Sequence, residues 1–97
     1  MKFTLVRNIY FHSREDGLIS KHVSKVVESD VSPRIGYTFE DSAWHRNDVV
    51  KAEDVLIDTE TGQCTVVLNP KNVAAASDVE KVYKLVVEHH GWKDAYK

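Results

Sequence analysis

The chain has 97 residues, 42% of them hydrophobic and 29% charged, with a formal charge of −2 from 13 Lys+Arg against 15 Asp+Glu. A single domain of that length buries roughly 60–70% of its unfolded surface around one core, and the composition excludes a disordered chain. The near-balanced charge leaves no electrostatic footprint for nonspecific nucleic-acid binding and no reason to expect attachment to an acidic membrane surface.

Residues 2–12 read as a strand. Phe3, Leu5, Ile9 and Phe11 alternate along one face, with Arg7 the exception, while Thr4, Val6, Asn8, Tyr10 and His12 form the other. Two partly apolar faces point to an interior strand. Arg14-Glu15-Asp16-Gly17 is a turn, and Asp-Gly is a strong hairpin signal.

Residues 18–29 fit two patterns. Leu18, Ile19, His22, Val23, Val26 and Val27 match a helical stripe, yet Ile19, Val23, Val26 and Val27 are β-branched and favour a strand. The preceding Asp-Gly turn also predicts a returning strand, and that reading is preferred. A helix there would give the order β-α-β-β-β-α.

Ser32-Pro33-Arg34-Ile35-Gly36 reads as a turn or strand entry, and Pro33 keeps its backbone at an edge or outside the sheet. Followed by a hairpin, this segment resembles small curled barrels in general, which implies a curled sheet and assigns no functional residue. Tyr37-Thr38-Phe39 is expected to be a short strand, and residues 41–48 a loop. Residues 49–59 and 63–69 make the clearest hairpin, turning at Thr59-Glu60-Thr61-Gly62. Cys64, Val66 and Leu68 share one face of its second strand, and Pro70 ends it.

Ser77-Asp78-Val79-Glu80 has the form of a capping box. Val79, Val82, Tyr83, Val86, Val87 and His90 then recur on one helical face. Gly91 is placed as the left-handed stop, and Trp92 where the apolar contact of a Schellman motif belongs. The expected architecture is therefore α+β: one domain over residues 1–97, with an antiparallel sheet of four to five strands, flat or strongly curled, and a C-terminal helix packed on one face. Hairpin links make antiparallel pairing economical, since parallel neighbours need crossovers of a dozen or more residues.

Motif chemistry is sparse. Cys64 is the only cysteine and sits mid-strand, the setting of an inert buried thiol in a reducing compartment. Arg7 and Asn8 interrupt the N-terminal apolar stretch before it could act as a signal core, and no apolar run approaches a membrane span, so the expected location is cytoplasmic. His89 and His90 are adjacent, about 100° apart on a helix, and no His-x-x-x-His or Cys-x-x-Cys occurs. No metal site, cofactor or phosphate loop is indicated. Ser42, His45 and Asp48 assemble a triad on paper, but only geometry defines a triad.

The aromatic and cationic crowding of Tyr37, Phe39, Trp44, His45 and Arg46 is the best functional lead, because Trp, Tyr and Arg are enriched in binding hot spots. The structural counterpart is that Trp44 plugs one end of the sheet. Trp92 and Tyr96 stand in the same relation: packing beneath the helix end, or a docking surface. Three function classes fit. The first is a non-catalytic binding or accessory domain for a protein partner or a second copy of the chain. The second is a single-stranded nucleic-acid module stacking bases on Phe3, Tyr10, Tyr37 and Phe39, against which the missing basic surplus argues. The third is a small enzyme or ligand carrier with a polar pocket holding His12, His45 or Asp48.

Overall fold

The computed structural model describes residues 1–96. Its elements run β1 (Lys2–Ser13), β2 (Gly17–Glu28), β3 (Ala52–Ile57), β4 (Cys64–Leu68), β5 (Lys71–Asn72), α1 (Ala76–His89) and β6 (Lys93–Asp94). The β1–β2 hairpin pairs in full register from Lys2 with Glu28 to Ser13 with Gly17. Gly17 takes a positive φ of 69° where the chain turns back, a conformation that favours glycine. Residues 18–28 are thus strand, in keeping with their β-branched content.

The sheet order is β3-β4-β1-β2-β6, with β5 pairing β1 beside β4. It is an open, mixed sheet, which corrects the antiparallel expectation. Thr4, Leu5 and Val6 of β1 run parallel to Thr65, Val66 and Val67 of β4, and Ile9 and Tyr10 run parallel to Lys71 and Asn72 of β5. The physical reason is the long irregular connection over residues 29–51. It exceeds the dozen residues that a parallel crossover requires. It carries the chain across the sheet, so that β4 returns along the free edge of β1. Two further expectations change here. Tyr37-Thr38-Phe39 contributes only an isolated bridge between Thr38 and Lys51, and the second hairpin begins at Ala52 rather than Val49, with a bulge between Ala52 and Asp54.

Register fixes which residues share a face. Arg7 opposes Val23, Leu5 pairs Val66, and Val66 pairs Val55. One face therefore collects Phe3, Leu5, Ile9, Val23, Val66 and Leu68, all buried with Cys64. Helix α1 covers this face with Val79 and Val86 buried, and with Val82, Tyr83 and Val87 packed at the margin. The expected helical stripe is the packed one.

The helix starts earlier than the capping box implies. Its N-cap is Ala75, with no side-chain cap hydrogen bond, so Ser77 lies inside the first turn and is exposed. Val73 N–H is bound to the Tyr10 carbonyl at 3.0 Å, pinning the connector to β1, and Asp78 N–H closes the first turn onto the Ala75 carbonyl at 3.0 Å. At the other end Gly91 is the left-handed stop, with φ 77°. Trp92 is buried, and its N–H reaches the Val86 carbonyl, which also accepts from His90 N–H.

Candidate functional site

Arg7, the exception on an otherwise apolar strand face, organises the region where the aromatic loop meets the sheet. Its side chain is only 1% exposed. Its two terminal nitrogens donate to the Asp48 carboxylate at 2.8 and 2.9 Å, and Nε donates to the Asn69 carbonyl at 2.8 Å. The guanidinium lies 4.5 Å from the centre of the Trp44 ring, a stacked cation–π contact. Lys71 Nζ adds a second donor to Asp48 at 3.1 Å. Hydrogen bonds from Arg7 hold the Asp48 carboxyl below the usual carboxylate range against the opposing effect of burial, and Lys71 adds to them.

A second tie closes the near end of the loop. Burial alone would raise the Asp41 carboxyl, but donors outweigh it and hold it below its ordinary value. They are Lys25 Nζ at 2.7 Å, Ala43 N–H at 2.9 Å and the Trp92 indole N–H at 3.2 Å. Trp44 and Trp92 meet edge to face with centroids 5.2 Å apart. The Ser42 hydroxyl and His90 Nδ1 lie 3.0 Å apart, fastening the loop to the end of α1. Residues 41–48 thus form a loop anchored to β1, β2, the start of β5 and the helix terminus.

Between this loop and the 38–40 segment lies an open cleft of about 590 Å³, within the roughly 300–1,000 Å³ of ligand sites. Phe39, Trp44, Val49 and Val50 supply its apolar lining, and Glu40, His45 and Arg46 its charged and polar rim. The structure therefore brings Phe39, Trp44, His45 and Arg46 to one cavity, while Tyr37 lies outside its lining. Trp44 is 7% exposed and belongs to the core as well as to the cleft wall; Tyr37 is exposed, as are His45 and Arg46. Trp92 packs beneath the helix end, and Tyr96 is exposed, edge-on to His22.

The other sequence-derived constellations separate. Ser42 faces His90, Asp48 is held by Arg7 and Lys71, and His45 Nδ1 accepts from the Asn47 N–H at 3.1 Å, so the three do not form a hydrogen-bonded relay. Phe3 is buried and packs edge-on against Phe39 at 6.2 Å, which removes it from any stacking platform with Tyr10. Cys64 is buried and unpaired. Among the described residues, no group of three or more His, Cys, Asp or Glu is placed to hold a metal ion, and no helix is long and apolar enough to cross a membrane. Arg7 is the organising residue that sequence reasoning passed over. Its signal was its position, two residues from Leu5 and from Ile9 on a core face, where a cation requires a buried acid.

No family model, curated protein or solved structure matches this chain.

Proposed function

We propose that the chain is a small, non-catalytic binding module that receives a protein partner at the cleft over residues 38–50, in a cytoplasmic setting. One observation supports this above the others. The aromatic and cationic residues of the loop converge on a single cavity whose walls are fixed by the Arg7–Asp48 and Lys25–Asp41 pairs. A loop held this way has little ordering entropy to lose on binding. Phe39 and Trp44 offer apolar wall to one inserted side chain, while Arg46 and Glu40 present opposite charges at the rim to orient the segment carrying it. The lone buried thiol is in keeping with a reducing compartment.

The test is a selection of displayed peptides on the immobilised protein, followed by amide chemical-shift mapping of the winners. Selected peptides should perturb residues 39–50. Phe39→Ala or Arg46→Glu should weaken them by about 1–2 kcal/mol each. Peptides whose shifts map elsewhere, or which bind both variants unchanged, would refute the assignment, as would failure to select any.

A further inference from the structure

The sheet has a second face, which neither α1 nor the 29–51 connection covers, and on which Tyr96 lies at the β6 side, edge-on to His22. Its residues follow from the register: even-numbered positions of β1 and β2, Asp54 and Leu56 on β3, Thr65 and Val67 on β4, Asn72 on β5 and Lys93 on β6. In a chain that is 29% charged, the even positions from 4 to 10 and from 18 to 26, together with 56, 65 and 67, hold no Asp, Glu, Lys or Arg. Charges appear only at its margins, as Lys2, Glu28, Asp54 and, through its pairing with Ser24, Lys93 on the edge strand β6. The apolar members are large: Leu18, Val26 and Leu56 are 65%, 56% and 54% exposed, and Val6 and Val67 are paired neighbours at the centre. The middle is also closely set. Asn8 Oδ1 is shut off from water by its neighbours and has no hydrogen-bond partner, so a covering surface would strip no further water from it.

We infer that this open face is the contact between two copies of the chain, packed sheet on sheet about a two-fold axis. Charge and area both select a second copy as the occupant. Each copy carries −2, and this face lets two copies meet without enclosing like charges, since Lys2, Glu28, Asp54 and the edge-strand Lys93 stay at the rim. At about 4.8 Å between strands and about 3.4 Å per residue, the four principal strands make a face of about 550 Å² in plan. Two such faces come to about 1,100 Å² before side-chain relief is counted, which clears the roughly 1,000 Å² expected of a specific interface. A two-fold contact is self-complementary and closes at the dimer, and aligned sheets interdigitate at about 10 Å separation. The contact uses none of the cleft residues, so it stands or falls independently of the binding site proposed above.

Sedimentation equilibrium of the full chain, from micromolar to millimolar concentration, tests the inference. The expected result is a reversible dimer with a micromolar dissociation constant, the affinity of an interface at the small end of the range. Val6→Lys and Val67→Lys should each weaken it by roughly tenfold or more, because an ammonium would then be enclosed at the centre. Val6→Thr, β-branched and uncharged, should keep the dimer, and Arg46→Glu should leave it untouched. If the lysine variants do not fold, amide exchange of the unmodified chain at low and high concentration probes the same contact, with added protection expected in the centres of β1 and β4. A chain that stays monomeric at millimolar concentration overturns the inference. So does a dimer whose protected amides lie on the outer edge of β3 or in the cleft, and so does one indifferent to both lysines.

Discussion

The Arg7–Asp48 pair should respond asymmetrically to the loss of either partner. Arg7 is 1% exposed while Asp48 is 18% exposed and keeps Lys71 as a second donor. In Asp48→Asn the guanidinium stays buried against Trp44 without its counterion, with the Lys71 ammonium still nearby. Stranding a buried charge costs about 3–5 kcal/mol. In Arg7→Met the carboxylate retains Lys71 and some water, and the thioether can occupy the apolar space beneath Trp44. The loss there should be about 1–2 kcal/mol, mainly the unmet Asn69 carbonyl. A chain of this size has about 5–15 kcal/mol of total stability, so the first variant loses a large share and the second a modest one. At 4–8 °C per kcal/mol, Asp48→Asn should melt roughly 12–40 °C below the parent. Urea titration followed by tryptophan fluorescence reads both variants, since Trp44 touches Arg7 and Trp92 touches Trp44. Equal losses in the two variants, or a loss under about 1 kcal/mol for Asp48→Asn, would refute the picture of Arg7 as a buried cation dependent on one acid.

Two further outcomes follow from the same geometry. Asp41 and Asp48 are both held below the ordinary carboxylate value of about 3.9, so their contribution is complete above that pH and is lost as pH falls through the lower folded values. Urea midpoints should therefore fall steeply below about pH 4, and the Asp48→Asn variant should show a flatter acid branch; parallel curves would contradict this. Ser77→Ala should change stability by less than about 0.5 kcal/mol, because Ser77 caps nothing and is exposed; a loss of about 1 kcal/mol, the usual cost of deleting a cap, would mean that the helix begins at Ser77 after all.

Much of the architecture was legible because it is written in short-range patterns. Asp16-Gly17 and the β-branched run after it specify the long hairpin, and the valine stripe from Val79 to Val87 specifies the face that docks. What stayed hidden depends on residues far apart in sequence. The parallel pairing of Thr4 with Thr65 has no local signature, because the connection that permits it, residues 29–51, lacks the periodicity by which crossovers are recognised. The capping box misled for a related reason: its residues are right, but the anchor from Val73 to Tyr10 and the first-turn bond from Asp78 N–H to the Ala75 carbonyl set the helix start earlier. At the candidate site, residue type alone drew attention to Phe39, Trp44, His45 and Arg46. Type could not separate Trp44, which is wall and core at once, from Tyr37, which falls outside the cleft. Nor could it join Arg7 to an acid 41 residues away.

Strand β1 is bonded to β2 along one edge and to β4 and β5 along the other. This has a kinetic corollary. The first edge can zip from a local turn within microseconds, as hairpins do. The second must wait for a stretch some sixty residues downstream to come back, and that closure costs chain entropy before any contact repays it. Assembly should thus proceed in two tempos, an early hairpin and a late annealing at its other flank. During the interval the unsatisfied flank of β1 is the segment most exposed to pairing with the wrong chain.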